Sequence, residues 1–156
     1  DVDLSLRARL QGMSILCAGD ALITHHYELA MSRQKFYYLE RNRLLTLLKL
    51  YQTRTLWRMA PALLLTELAT WAFALLKGPS YLSSRWKSYS WLLQNKKHWQ
   101  EARQALNQQR RISDKDLLKT GLIQLPLEQL VANRSLGTVL NTLVQPLYNV
   151  CFRMVT

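Results

Sequence analysis

Apolar residues recur at helical spacing over much of this chain, most regularly in residues 35–51. There they follow the i, i+3, i+4 template of one helix face, with Arg43 as a cationic interruption. The apolar positions are Phe36, Leu39, Leu44, Leu47, Leu48 and Tyr51. Because the segment contains neither glycine nor proline, the pattern predicts an amphipathic helix over residues 35–51.

The first ten residues show a shorter version of the same pattern. Val2, Leu6 and Leu10 are spaced by four residues, which places them on one face of a helix. Gly12 follows as a C-terminal stop, since glycine adopts the left-handed backbone that ends many helices. Asp3 would lie in the first turn, where the helix dipole stabilises an acid. The sequence therefore predicts a short helix that ends near Gly12.

Two brief apolar runs come next along the chain. Residues 15–18 and 21–24 are apolar and flank the turn pair Gly19-Asp20. Short apolar runs separated by a turn signal are typical of extended segments rather than of helices. We therefore expect a small β remnant near residues 13–24.

The most apolar segment is Met59–Leu76, in which Glu67 is the only charged residue. Its 18 residues fall just short of the roughly 20 that span a bilayer upright. A buried core helix, a membrane span and a helix lying in the interface all fit this composition. Trp57 and Trp71 near its ends favour interfacial or tilted membrane contact.

The remaining sequence is also predicted to be helical, with breaks at glycine and proline residues. Gly78-Pro79 breaks the apolar segment, and residues 81–111 form a basic stretch rich in tryptophan and glutamine. Ser113 resembles an N-cap followed by acidic first-turn residues. Two moderately apolar stretches, 122–132 and 136–155, complete the chain. The fold class predicted overall is mostly α.

Charge is distributed unevenly along the 156 residues, whose net charge is +11. Residues 1–30 are acidic, whereas residues 31–60 and 77–119 are strongly basic. Clustered cations favour nucleic acid, anionic lipid or a phosphorylated ligand. The leucine-rich helices between the basic stretches argue against a continuous nucleic-acid groove. Cys17 and Cys151 are far apart in sequence and are expected to be reduced, small apolar residues.

The opening sequence DVDLSLRARLQG, with thirteen further residues ending at His25, resembles the close of a known catalytic domain. The family is the bacterial family 2 glycosyltransferases of GT-A type, including rhamnosyltransferase-like members. Its members show an acidic pair leading into this motif, a helix ending at glycine, a short strand and a histidine. Tyr37–Lys49, YYLERNRLLTLLK, is similar to the helix that follows in members acting on lipid-linked or cell-surface glycans. The resemblance covers residues 1–60.

The resemblance implies a general base at Asp1, the second acid of the pair. In an inverting displacement, this carboxylate takes the proton of the acceptor hydroxyl as it attacks the anomeric carbon. The first acid of the pair, the nucleotide-binding half and a metal-binding Asp-x-Asp would all precede Asp1. We therefore expect this chain to be the C-terminal fragment of such an enzyme and to be inactive alone.

Four further residues receive roles from the resemblance and their positions. His25 is the expected ligand of a divalent metal, Mn²⁺ or Mg²⁺, that is bound mainly by the missing N-terminal part. Without the resemblance, His25 and His26 would be read as an ordinary loop pair. Arg7 and Arg41 are candidate contacts for the donor diphosphate or the acceptor, although the residues themselves favour a solvated helix face, to which Arg41 is the best exception. Asp3 is expected to serve as the helix N-terminal acid.

The predicted organisation has four parts. Residues 1–34 close the catalytic domain, 35–58 form a connecting helix, 59–77 form a membrane-associated helix, and 78–156 form a basic helical tail. The predicted partners are a nucleotide-sugar donor, a glycan or lipid-linked acceptor and an anionic membrane surface, with no nucleic acid. The expected location is the cytoplasmic face of the cell membrane. A non-enzymatic adaptor that binds the membrane surface remains the alternative.

Overall fold

A computed structural model describes residues 2–22, 24, 30–119 and 134–155. This part of the chain is mostly α-helical, as the sequence predicts. Its helices are α1 (Val2–Leu10), α2 (Arg33–Leu50), α3 (Thr53–Arg58), α4 (Ala60–Lys77), α5 (Pro79–Gln94), α6 (Lys96–Gln109), α7 (Asp114–Lys119) and α8 (Arg134–Val155).

Local signals account for the ends of the first two helices. At the end of α1, the N–H of Met13 donates to the carbonyl of Ala8 at 3.0 Å, and that of Gly12 donates to Arg9 at 2.8 Å. This pairing, with a Gly12 φ of +80°, is a Schellman C-cap. Ser32 begins α2, since its hydroxyl accepts from the backbone N–H of Lys35 at 3.1 Å. The stop at Gly12 confirms the prediction from the sequence, whereas the cap at Ser32 was not predicted.

The basic stretch over residues 81–111 is two helices rather than one. Asn95 separates α5 from α6, and both its backbone N–H and its side-chain amide donate to the carbonyl of Trp91, at 3.0 and 2.8 Å. The indole N–H of Trp99 donates to the carbonyl of Leu92 at 3.0 Å. Carbonyls at the end of α5 are thus satisfied by side chains, which stabilises the break.

The β remnant expected near residues 13–24 is not formed in the described residues of that range. Residues 13–18 have no regular secondary structure, and Gly19-Asp20 form a turn. A strand requires backbone partners on a neighbouring strand, and the described residues provide none. Leu16 and Leu22 consequently stay exposed, at 89% and 96%.

The described chain divides into two compact units. The first comprises residues within Asp1–Tyr51 and Leu68–Ile112. In it, α2 packs along α5 and α6, and α1 contacts α2 and α6. The rings of Phe36, Phe73 and Tyr81 lie 5.4 to 6.0 Å apart in its core. Through these edge and tilted contacts, Phe36 of α2 packs against two rings that lie more than thirty residues further along the chain.

The second unit comprises residues within Gln52–Glu67 and Ser113–Thr156, where α3 and α7 both pack on α8. The buried carboxylate of Asp114 accepts from the N–H of Gln52, the residue before α3, at 2.7 Å. As predicted, Ser113 caps α7 by accepting from the N–H of Asp116 at 3.2 Å. The Ser113 hydroxyl also donates to the Asp116 carboxylate and lowers its pKa.

Helix α4 is the one helix of the described residues that is long and apolar enough to cross a membrane. Its 18 residues have a mean hydropathy of 1.3, and only 11% of them are buried. Leu64 and Leu68, one turn apart, are each 60% exposed, and Leu76 is 88% exposed. Its apolar surface is thus mostly uncovered by the described protein.

Candidate functional site

Two of the predicted site residues, the base Asp1 and the metal ligand His25, lie outside the described residues. Asp1 directly precedes α1 in sequence, so the anchoring of α1 bears on any site at this end of the chain. Among the described residues, no group of three His, Cys, Asp or Glu side chains is arranged to hold a metal ion. The metal therefore remains a prediction that depends on residues elsewhere.

Asp3, Arg7 and Lys49 form an ion network that anchors α1 to α2. Asp3 lies in the first turn of α1, and its carboxylate contacts Arg7 Nε at 3.0 Å and Lys49 Nζ at 2.5 Å. The Lys49 side chain is only 14% exposed, whereas those of Asp3 and Arg7 are partly exposed. Because the Asp3 carboxylate contacts Arg7 through Nε, the terminal nitrogens of Arg7 are the ones left for an anionic ligand.

A groove of about 740 Å³ runs between α1 and α2. Its lining includes Val2 and Asp3, the residues that follow Asp1 in sequence. The polar residues along it are Asn42, Arg43, Thr46 and Lys49, and the apolar ones are Leu6, Leu39, Leu45, Leu47 and Tyr51. A concave surface with apolar walls and a few polar groups suits an amphipathic ligand.

Arg41 lies elsewhere on α2, stacked among aromatic rings. Its guanidinium carbon is 4.8 Å from the ring centre of Tyr38, 4.7 Å from Trp91 and 5.5 Å from Tyr37. Two of its nitrogens donate to Asn42 Oδ1 at 2.9 and 3.1 Å. These contacts hold the plane of the guanidinium in place. Asn42 also lines the groove that contains Asp3, which links Arg41 indirectly to the end of α1.

A buried ion pair at the centre of the first unit was not predicted from the sequence. Arg85 on α5 is 0% exposed and pairs with Glu40 on α2, which is 6% exposed. Arg43 also contacts Glu40, at 2.9 Å. The sequence did contain a signal for a buried charge. Glu40 lies between Phe36 and Arg43 on one helix face, which puts its carboxylate on the buried side of α2.

Aromatic rings enclose this ion pair. The Arg85 guanidinium carbon lies 5.1 Å from the ring centre of Tyr89 and 5.6 Å from that of Trp71. Burial lowers the pKa of Arg85 because removal from water disfavours its charge, and the neighbouring Tyr89 hydroxyl opposes the shift. A charged pair enclosed in this way joins α2 to α5 in one register and has a structural role.

Comparisons with known proteins return no relative. No family model matches the chain, and neither a curated protein nor a solved structure matches it. The fold therefore defines only a class, a mostly α-helical protein with one apolar, exposed helix among its described residues.

Proposed function

We propose that this chain is the C-terminal part of an inverting glycosyltransferase. The enzyme would move a sugar from a nucleotide-diphosphate donor to a hydroxyl acceptor in cell-surface or lipid-linked glycan synthesis. Asp1 is the general base of this proposal, and the divalent metal and the donor are held mainly by a preceding catalytic half. The end of a GT-A domain would then correspond to residues 1–34.

The groove between α1 and α2 is the observation that carries the proposal. Its lining includes Val2, the neighbour of Asp1 in sequence, and is mainly apolar with Asn42 and Thr46 as uncharged polar groups. An acceptor with an apolar part and a hydroxyl-bearing part matches this lining. The Asp3–Lys49 contact supports the same role, since it holds α1 on α2 and so steadies the groove between them.

Helix α4 and the basic stretches support a location at the cytoplasmic face of the membrane. The exposed apolar surface of α4 favours lipid contact. Each cation near the membrane surface contributes about 1 kcal/mol to the free energy of binding to anionic lipid. An enzyme bound to the membrane meets a lipid-linked acceptor at a raised effective concentration. The groove and the membrane contact thus favour the same kind of acceptor.

Filling the groove should weaken acceptor use. Thr46→Trp places an indole in the groove, and we expect the KM for a lipid-linked acceptor to rise about tenfold, or about 1.4 kcal/mol, with a smaller change in kcat. The measurement is release of nucleoside diphosphate by the full-length polypeptide, with a panel of nucleotide-sugars and isoprenoid-linked acceptors.

The matched control is Gln104→Trp, which adds the same side chain to an exposed position of α6. It should leave KM within twofold of the wild-type value. An equal rise of the acceptor KM in both variants would show that the groove does not bind the acceptor. If the wild-type polypeptide releases nucleoside diphosphate from none of the donors, the proposal that it is a glycosyltransferase is contradicted.

A membrane-surface adaptor without catalytic activity is the second candidate, and the exposed apolar surface of α4 favours it. Both candidates require membrane binding through α4, so the double variant Leu64→Arg/Leu68→Arg tests this shared feature. Each arginine costs about 2.5–3.5 kcal/mol near the centre of an inserted helix. We expect at least a tenfold fall in the fraction of protein that floats with phosphatidylglycerol vesicles.

The control for that experiment is Gln104→Arg/Gln108→Arg, which adds the same two charges to exposed positions of α6. Its vesicle binding should equal or exceed that of the wild type. If the α4 variant floats as well as the control, α4 does not hold the protein on the membrane. Transfer activity then separates the two candidates, because the adaptor has none.

A further inference from the structure

A second groove, of about 600 Å³, lies between α2 and α5 and differs in character from the first. It is rich in hydroxyl groups and cations, and none of its described lining residues carries a carboxylate. Its lining is Arg33, Gln34 and Tyr37 from α2, with Ser80, Ser83, Ser84, Lys87, Ser90, Trp91 and Gln94 from α5.

Ser90 leaves a hydroxyl donor available to a ligand, whereas the Ser84 hydroxyl already donates to the carbonyl of Ser80 at 3.1 Å. Ser90 accepts from the side-chain amide of Gln94 at 3.1 Å, so its own O–H remains able to donate. Ser83 is exposed, and Ser80 lies in the first turn of α5, where the helix dipole is positive. The exposed cations Arg33 and Lys87 approach the groove from its two different helices.

The walls of this groove are held in place by contacts between α2 and α5. The buried Ser88 hydroxyl donates to the carbonyl of Tyr37 at 3.2 Å. Trp91, in the groove wall, stacks on Arg41 at 4.7 Å, which brings a third cation beside the site. The Glu40–Arg85 pair joins the same two helices below the surface. The two helices that form the groove are therefore held together before a ligand binds, and only the exposed cation side chains must be ordered.

We propose that the groove between α2 and α5 binds the phosphate group of an anionic ligand. A phosphate offers several acceptor oxygens, which match a guanidinium, an ammonium and hydroxyl donors held together without a competing carboxylate. The ligand is a phosphate ester, either in a lipid headgroup or in a free molecule. This inference does not depend on the transferase proposal, since it needs neither Asp1 nor the groove between α1 and α2.

The test is calorimetric titration of the full chain with inorganic pyrophosphate. Arg33→Gln/Lys87→Gln removes both groove cations, and we expect binding to weaken at least tenfold. Lys96→Gln/Lys97→Gln removes the same charge from exposed positions of α6 outside the groove and should change binding less than twofold. All four positions are exposed in the structure, so the folded state should be retained, as circular dichroism would verify.

Vesicles distinguish the two sources of phosphate. If pyrophosphate competes with phosphatidylglycerol vesicles and the groove variant also loses vesicle binding, the ligand is a headgroup. If the groove variant loses pyrophosphate binding but still binds vesicles, the ligand is a free phosphate ester. If both double variants weaken pyrophosphate binding equally, the binding depends on overall charge rather than on the groove, and the proposal is wrong. Absence of saturable pyrophosphate binding in the wild type would also overturn it.

Discussion

Replacing Arg85 with methionine should lower the free energy of unfolding of the first unit by about 3 kcal/mol, at the low end of the range for breaking a buried ion pair. The substitution leaves the carboxylate of Glu40 enclosed without its principal partner. Arg43 still contacts Glu40 at 2.9 Å, which limits the loss. Equilibrium unfolding in urea, followed by far-UV circular dichroism, measures the change.

Two controls separate the lost charge pairing from other effects of the substitution. Lys87→Met makes the same kind of change at an exposed position of α5 and should shift stability by no more than about 0.5 kcal/mol. Glu40→Met/Arg85→Met removes both charges and should recover most of the loss, because apolar side chains of similar volume often replace a buried ion pair without cost. A loss below about 1 kcal/mol for Arg85→Met would show that the pair contributes little.

The second large effect is expected at the proposed general base. In the full-length polypeptide, Asp1→Asn should lower kcat about 10²–10⁴-fold, because an amide of nearly the same shape cannot accept the proton of the acceptor hydroxyl. The KM for the acceptor should change little, since the shape of the side chain is kept. Steady-state release of nucleoside diphosphate measures both constants.

Asp20→Asn is the matched control for this variant. Asp20 is an exposed residue of the Gly19-Asp20 turn, and its substitution should leave kcat within twofold of the wild-type value. If Asp1→Asn keeps full activity while the enzyme transfers sugar, the base lies elsewhere and the assignment carried by the resemblance is wrong. If transfer is absent in the wild type as well, the membrane-surface adaptor becomes the better account.

The sequence motif predicted part of the ion network at α1, but not the residue that joins it from another helix. Asp3 and Arg7 were predicted on one helix, and their i, i+4 spacing brings them within 3.0 Å. Their partner Lys49 lies more than forty residues along the chain, and its contact with Asp3 depends on α1 packing against α2. The groove that supports the acceptor proposal arises from this packing, so its lining was not predictable from the motif.

The sequence by itself determined those features that depend on residues close to one another along the chain. The mostly α-helical class, the helix that became Arg33–Leu50, the stop at Gly12 and the cap at Ser113 all follow from local periodicity and capping chemistry. Tertiary structure alone decided the pairing of Glu40 with Arg85 and the absence of a strand in the described part of residues 13–24. The physical reason is the same in both cases: a buried charge and a strand edge each need a partner from a distant segment, and only packing determines whether that partner is present.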